Sequence, residues 1–136
     1  MQELTSKKIS LATKNMDKYE EMRNILEDYN LDLRVVDLKG TEIQAFSVLS
    51  VAEHSAKEIA SKTDDAFIVE DSGIYVNSLY GFPGPYSAFV YKTIGLGGIV
   101  RLLKNREDKT AEFHSCLLYT SPSPRDATLS RMPSSA

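Results

Sequence analysis

The sequence lacks tryptophan altogether and contains a single cysteine, Cys116, so residues 1–115 carry no thiol. Without thiols, disulfide bonds and thiolate zinc sites are excluded from residues 1–115, and a reducing compartment is indicated. No apolar run approaches the roughly 20 residues that a membrane-spanning helix needs, and no charged-then-apolar leader opens the chain. The sequence therefore predicts a cytoplasmic protein without a membrane partner.

An excess of positive charge is also missing. The 16 basic and 19 acidic residues give a formal net charge of -3, which becomes -4 without residues 116–136. This mild acidity argues against a nucleic-acid partner. Neither the Gly-x-x-x-x-Gly-Lys nor the Gly-x-Gly-x-x-Gly pattern occurs, which excludes a P-loop and a dinucleotide fingerprint. His54 and His114 have no metal-ligand spacing, and we interpret both as non-catalytic.

What the sequence does contain is an apolar strand that ends in two acids. Residues 67–69 predict a strand covered on both faces, and Glu70 and Asp71 follow at once. Because side chains alternate across a strand, these acids are expected to point opposite ways, and only one of them should face a given site. Gly73 comes next, where a side chain is expected to crowd a ligand.

A polar turn is predicted near the start of the chain. The first predicted strand, residues 8–12, leads through this turn into a helix. Free backbone N–H groups and the helix dipole point at such a turn and favour an anion there. Lys14 and Lys18 add positive charge, and Asn15 or Asp17 can cap the helix.

The rest of the pattern predicts one α/β domain without repeats. A capping-box pattern at Ser50–Glu53 is expected to open the second helix. Alternating strands and helices predict a mixed, largely parallel sheet flanked by helices. Ligands in such sheets bind at the carboxyl ends of strands, where Thr13 and Asp71 stand. Further strands are predicted at residues 33–36, from 66 onward and at 111–115. Further helices are predicted at residues 50–61, 86–94 and 98–103.

Five separated motifs occur in a fixed order along residues 8–114. They are Ala12-Thr13-x-Asn15-x-x-Lys18, Glu42-Ile43-Gln44, Ala52-Glu53-x-x-Ala56-Lys57, Val69-Glu70-Asp71-Ser72-Gly73 and Gly81-Phe82-Pro83-Gly84-Pro85-Tyr86-Ser87. Together they resemble the inosine/xanthosine triphosphate pyrophosphatase family, and the coincidence of all five makes the resemblance specific. Lys14 departs from the pattern, since the family commonly has glycine there.

The resemblance implies hydrolysis of the purine nucleoside triphosphates ITP, dITP and XTP to a monophosphate and pyrophosphate, which removes them from the nucleotide pool. It implies Mg²⁺ held by Glu42 and Asp71, with Asp71 also acting as general base. A homodimer is expected for the full-length protein. The residues expected to bind the triphosphate are Thr13, Lys14, Asn15, Met16, Asp17, Lys18, Lys57 and Ser72.

Several of these residues have an alternative interpretation. Glu42 is an ordinary loop acid if the resemblance is set aside. Lys57 is equally a solvated helix lysine, with Glu53 and Glu58 as surface ion-pair partners. For residues 81–85 we favour a structural role as a rigid turn, with a secondary role in shaping the mouth of a pocket.

Residues 116–136 resemble a translated sequencing adapter. Two ordered strings, residues 116–126 and 130–136, match such a translation, and residues 127–129 stand where a sample index would be read. A natural Ser/Pro-rich tail is the alternative. We expect the segment to have no stable role in the core, which leaves residues 1–115 as the N-terminal part of a single domain.

Two elements that the resemblance leads one to expect after residue 115 are absent. These are an aromatic-Gly-x-Asp-Pro segment and a late Ser-His-Arg motif, which would close the purine pocket. Three hypotheses follow: a truncated, inactive pyrophosphatase, a related pyrophosphatase of different base preference, and a non-catalytic nucleotide-binding module. Truncation is expected to leave a strand edge unpaired after residues 111–113 and to uncover Leu102 and Leu103.

Overall fold

The computed structural model of the protein describes residues 7–36, 38 and 40–120, and the backbone of residues 129–135. Two short 3-10 turns, Asn77–Leu79 and Gly84–Tyr86, lie between the third strand and the third helix. No helix in this part of the chain is both long and apolar enough to cross a membrane. The strands and helices are β1 (Lys7–Ala12), α1 (Met16–Glu27), β2 (Leu31–Val36), α2 (Val48–Ala60), β3 (Phe67–Val76), α3 (Ser87–Thr93), α4 (Gly95–Leu103), β4 (Ala111–Thr120) and β5 (Leu129–Ser135).

The strands form a mixed sheet in the order β2-β1-β3-β4-β5. The first three run parallel, whereas β4 pairs antiparallel with both β3 and β5. The predicted α/β fold with a mixed sheet is thus confirmed. β1 is paired in register with β3 at Ser10↔Phe67 and Leu11↔Ile68, near the start of β3. The rest of β3 therefore extends past β1, and β4 is its partner there.

The two faces of the sheet carry separate apolar cores. On one face Phe67 and Val69 pack with α2. On the other face Ile68 packs with Leu11 and Leu33, and α1 side chains cover them. This alternation is the period of two that a strand imposes. It continues beyond the apolar residues and sends the next two side chains of β3 to opposite faces.

The chain after residue 115 packs where the sequence predicted no packing. β4 continues to Thr120, and Cys116 and Leu118 are buried beneath α2. The expectation that residues 116–136 have no role in the core is therefore wrong for residues 116–120, because the ten-residue β3 offers β4 partners to its end. The expected unpaired edge is also wrong, since β5 pairs with β4. The adapter origin of the segment stays a prediction.

The start of α2 also differs from the prediction. The N-cap is Ser47, whose extended backbone has φ −129° and ψ 147° and whose Oγ accepts a hydrogen bond from the Ser50 N–H at 3.2 Å. The Tyr75 hydroxyl accepts another from the Val48 N–H at 2.8 Å. The capping box predicted at Ser50 is wrong because Ser47 supplies the same hydroxyl earlier in the chain.

An apolar surface is exposed on α3 and α4. Leu102 is 47% exposed, so its predicted uncovering is confirmed, whereas Leu103 is half-buried. Phe89, Leu96 and Val100 are each about two-thirds exposed. This surface lies beside the cleft described next.

Candidate active site

A cleft of about 710 Å³ opens at the carboxyl end of β1 and along the middle of β3. Its walls come from the β1–α1 turn, the loop before α2, α2 itself, β3 and the α3–α4 pair. Sheets with parallel strands bind ligands at this edge. The predicted site residues that border the cleft are Thr13, Lys14, Asn15, Lys18, Glu42, Asp71 and Ser72.

Three predicted site residues lie outside this wall. Met16 and Asp17 begin α1 with exposed side chains, and Lys57 is exposed on α2. The residues of α2 that border the cleft are Val51, Ala52, Ser55 and Ile59. Lys57 falls between them on another face of the helix, because a residue two positions from Ser55 is turned by roughly 200°.

The β1–α1 turn is organised by its own side chains. The Thr13 hydroxyl accepts a hydrogen bond from the Asn15 N–H at 3.0 Å. Asn15 caps α1, and its Oδ1 accepts from the N–H groups of Asp17 at 3.1 Å and Lys18 at 3.2 Å. The prediction that Asn15 or Asp17 caps the helix is confirmed for Asn15. These donors were expected to hold phosphate, and in this structure they donate to side chains of the turn.

Lys18 pairs with an acid that sequence reasoning left without a role. Its Nζ forms an ion pair with Glu70, whose side chain is only 9% exposed. Glu70 Oε1 also accepts a hydrogen bond from the Ser115 hydroxyl at 3.2 Å. No local pattern marks this pair, although strand alternation turns Glu70 toward the α1 face, where Lys18 lies.

Asp71 occupies the opposite face of β3. Its Oδ1 accepts a hydrogen bond from the Ser72 N–H at 3.1 Å, and its Oδ2 is buried with no hydrogen-bond partner among the described residues. Burial first and the charge of Glu70 second raise the pKa of Asp71 from 3.8 to about 6. Lys18 and the Ser72 N–H lower the pKa of Asp71, and Glu42 raises it. Asp71 therefore titrates near neutral pH.

Both acids of β3 border the cleft, although they point to opposite faces. The expectation that only one of them faces the site is wrong, because the cleft surrounds the part of β3 that extends past β1. Glu42 reaches the same cleft from an irregular loop, and its effect on the Asp71 pKa means that the two carboxylates sense each other. The cleft thus combines three carboxylates with the lysines of the turn.

Gly73 is required by the protein's own backbone. A Cβ at this position would lie 2.1 Å from the carbonyl oxygen of Gly84. Gly73 also borders the cleft, so the expectation that a side chain there would crowd a ligand stays a prediction beside this contact. Ser87 Oγ accepts from the Ile74 N–H at 2.9 Å and donates to the Gly84 carbonyl at 2.7 Å. These contacts fasten the segment that follows β3 onto the strand.

The segment Gly81–Pro85 follows the predicted structural role. Its Phe82–Pro83 peptide bond is cis, and Pro83 forms an isolated bridge with Tyr75. Pro83 also borders the cleft, in line with the predicted role at the pocket mouth.

One wall of the cleft was missed by sequence reasoning. Its residues come from α3 and α4, which carry no chemical motif apart from the serine that ends the Gly-Phe-Pro-Gly-Pro-Tyr-Ser pattern. Lys92 adds a cation there, and no pattern in the sequence distinguishes it from a solvated lysine. The residues of this wall include Ser87, Val90, Tyr91, Lys92, Leu96 and Ile99.

The histidines do not take part in the cleft. His114 stacks on Tyr75 with ring centroids 4.2 Å apart, and its Nε2 lies 2.8 Å from Glu112 Oε2. His54 is exposed on α2. Among the described residues, no group of three or more His, Cys, Asp or Glu side chains is arranged to hold a metal ion.

The fold and the cleft define an α/β protein whose parallel-strand edge presents carboxylates beside a lysine-bearing helix turn. The sequence profile of the Ham1 family matches residues 9–131, and the chain belongs to this family. The predicted family is thereby confirmed. The match overlaps the segment interpreted as adapter translation.

Named relatives and solved structures agree with this assignment. The chain is similar to a dITP/XTP pyrophosphatase of Methanopyrus kandleri, with 42% identity over 121 residues that cover 89% of the chain and 64% of the relative. A dITP/XTP pyrophosphatase of Thermococcus kodakarensis is 40% identical over 112 residues, covering 82% and 61%. The chain thus spans about three fifths of the length of these curated relatives.

The fold itself is similar to that of a solved nucleoside-triphosphatase, or dITP/XTP pyrophosphatase, from Mycobacterium abscessus. The TM-score is 0.76 at 22% identity, and the match covers 94% of this chain and 71% of that one. At this identity the likeness shows the fold.

Proposed function

We propose that this protein contributes the phosphate and metal half of an enzyme that hydrolyses ITP, dITP or XTP to the monophosphate and pyrophosphate. One observation carries the proposal: Asp71 holds a buried, unpartnered carboxylate oxygen in the cleft and has a pKa of about 6. A carboxylate in that state is suited to accept a proton near neutral pH. The names of the archaeal relatives support the substrate class.

The cleft fits a divalent cation. Glu42 and Glu70 both raise the pKa of Asp71, so bringing a positive charge to these carboxylates relieves their repulsion. Mg²⁺ is usually held by one or two carboxylates plus substrate phosphates, which agrees with two protein ligands and no larger cluster. Glu42 and Asp71 would hold the ion. When bound, Mg²⁺ would neutralise phosphate charge and lower the pKa of a coordinated water.

The triphosphate would lie along the β1–α1 turn. Thr13, Asn15 and Ser72 offer polar groups on the cleft wall, and Lys14 and Lys18 offer positive charge. Phosphate oxygens are better acceptors than the neutral side-chain oxygens of the turn, so the turn N–H groups exchange partners when substrate binds. Met16 and Asp17 lie outside the cleft wall and would contribute only through the backbone at the start of α1, and Lys57, on another face of α2, would contribute only its charge at a distance.

The reaction is the displacement of pyrophosphate by water. Asp71 would take a proton from the water while the oxygen of that water bonds to the α-phosphorus. The bond between the α-phosphorus and the oxygen that bridges it to the β-phosphorus would then break. The pyrophosphate leaves with the electron pair of that bond. A base with a pKa near 6 is ionised at neutral pH and is still basic enough to receive the proton.

The chain spans about three fifths of the length of its relatives, and we propose that the 136 residues by themselves are inactive. A related pyrophosphatase of different base preference is the second candidate, because the apolar residues Val90, Leu96 and Ile99 of the α3–α4 wall do not by themselves distinguish one purine from another. The homodimer and the cytoplasmic location of the whole protein stay predictions.

The test compares the 136-residue chain with a form extended to the length of its relatives. Pyrophosphate release is measured with Mg²⁺ and with ITP, XTP, ATP or GTP as substrate. We expect the extended form to prefer ITP and XTP and the 136-residue chain to show no turnover above the rate without protein. Equal turnover of ATP by the extended form would reject the substrate class. ITP-selective turnover by the 136-residue chain would reject the proposed inactivity.

A further inference from the structure

Glu42 lies on a loop without regular secondary structure, yet the residue before it is held firmly. Glu58 on α2 accepts two hydrogen bonds from Thr41: one from its N–H to Oε2 at 2.6 Å and one from its hydroxyl to Oε1 at 3.1 Å. The Ser55 hydroxyl donates to the Thr41 carbonyl at 3.4 Å. Thr41 is therefore bound to α2 through its amide, its side chain and its carbonyl.

The backbone on the other side of Thr41 is held by close packing. Gly40 is buried, and a Cβ there would lie 2.7 Å from Ser55 Cα and 2.8 Å from its Cβ. Real Cβ atoms do not come so close to other atoms, so the loop meets α2 at a spacing that only glycine allows. Contacts from two successive residues thus fix the direction in which the chain enters Glu42.

Glu58 has a second partner in a surface ion pair with Lys62, and this interaction is weaker than the hydrogen bonds from Thr41. Lys62 Nζ lies 3.7 Å from Glu58 Oε1, and such exposed pairs contribute little. The pKa of Glu58 is lowered chiefly by the hydrogen bond from the Thr41 N–H, while the charge of Lys62 is a lesser cause. The carboxylate therefore stays ionised and remains a two-oxygen acceptor at neutral pH.

We propose that Glu58 is a positioning residue that holds Glu42 in the cleft through Thr41. Glu58 does not border the cleft and acts only through the loop. The inference rests on the proposed function, because it takes Glu42 as a ligand of the divalent cation. Groups that orient metal ligands from outside the first coordination sphere typically change metal affinity by about 10- to 100-fold when they are removed. A ligand on an irregular loop depends on such support.

The test uses the affinity of the chain for Mn²⁺ alone, without nucleotide, measured by electron paramagnetic resonance of the free ion. Glu58→Ala removes both acceptor oxygens, whereas Lys62→Ala removes only the surface ion pair and is the matched control. Glu42→Gln removes the ligand itself. We expect Glu58→Ala to weaken Mn²⁺ binding by about tenfold and Lys62→Ala to leave it unchanged. In a Glu42→Gln background, Glu58→Ala should have no further effect, because it acts through Glu42.

Backbone hydrogen exchange of residues 40–44 provides a second measurement. Glu58→Ala should speed exchange of the Thr41 amide, and Glu58→Gln, which keeps one acceptor oxygen, should give an intermediate rate. Faster exchange with unchanged Mn²⁺ affinity would overturn the positioning role and leave the proposed function standing. Equal Mn²⁺ affinity of the unchanged chain and Glu42→Gln would instead overturn the assignment of Glu42 as a metal ligand, and with it the positioning role of Glu58, whereas the proposed function itself is tested by the turnover of the extended form.

Discussion

The two faces of β3 carry neighbouring acids in opposite electrostatic settings. On the α1 face, Glu70 is paired with Lys18 and bonded to Ser115. On the α2 face, Asp71 keeps one oxygen without a hydrogen-bond partner among the described residues and has a raised pKa. The difference shows that strand alternation gives two adjacent acids different surroundings: Glu70 is compensated by a cation, and Asp71 is the acid to which we assign the reactive role.

The largest expected effect tests the reactive face. In a form of the protein that spans the length of its relatives, Asp71→Asn should lower turnover of ITP on the order of a hundredfold or more, because it removes both the proton acceptor and a cation ligand. Pyrophosphate release under saturating substrate measures this. Unchanged turnover would remove Asp71 from the proposed chemistry and with it the contrast between the two faces.

A side chain at Gly73 should displace the end of β3 and so disturb the residues on both faces of this strand. Gly73→Ala places a Cβ against the Gly84 carbonyl, and we expect a loss of about 2–3 kcal/mol in the free energy of unfolding. Gly97→Ala is the control, since a Cβ at that helical position meets nothing within 4 Å. It should stabilise by up to about 1 kcal/mol. The free energies of unfolding of both variants, measured in urea, distinguish a steric clash at Gly73 from a general effect of replacing glycine by alanine.

The paired face is tested by Glu70→Gln. Breaking this shielded ion pair should cost about 2 kcal/mol of unfolding free energy, whereas Glu20→Gln, which breaks the exposed pair with Arg23, should cost under about 0.5 kcal/mol. The same change should move the pKa of Asp71 down from about 6, because Glu70 is one of the causes of its elevation. If a carboxyl NMR titration finds the same Asp71 pKa in the parent and in Glu70→Gln, the charge of Glu70 does not raise the pKa of Asp71 as we infer.

The smallest effect concerns pH and stability. Asp71 binds its proton more tightly in the folded protein, with a pKa of about 6 against 3.8, so its ionisation lowers stability as pH rises from about 4 to about 6. The full shift would correspond to about 3 kcal/mol, which partial exposure reduces to about 1–2 kcal/mol. At pH 7 Asp71→Asn should therefore be more stable than the parent by this amount, with little difference at pH 3.5. Urea midpoints at the two pH values check the sign.

Patterns of local sequence predicted most of the fold. The apolar run before Glu70 predicted a strand covered on both faces, and the polar turn after residues 8–12 predicted the start of α1. The start of α2 was misplaced since Ser47 and Ser50 are chemically equivalent caps, and only the backbone conformation decides between them. The packing of Cys116 and Leu118 was missed because composition does not reveal which residues a long partner strand recruits.

The candidate site likewise contains residues that the sequence predicted and contacts that it did not. Thr13, Lys14, Asn15, Glu42 and Asp71 border the cleft, where contiguous motifs and family resemblance placed them. The α3–α4 wall and the pairing of Lys18 with Glu70 depend on long-range contacts, which no local pattern encodes. Sequence therefore indicates which side chains carry chemistry more readily than it indicates what surrounds them.

Because of the contact between Gly73 and Gly84, this part of the chain also responds differently to insertions of an odd and of an even number of residues. Together with the Ser87 hydrogen bonds, it fixes which residue of β3 meets the following segment. One residue inserted between Val69 and Glu70 could not keep both the apolar run and Gly73 in place: with Gly73 held against Gly84, Phe67 and Val69 would turn away from the α2 core, while an insertion of two would restore the original sides. Substitutions here alter one side chain at a time, whereas an insertion of odd length would set the apolar core and the contact at Gly73 against each other in a single step.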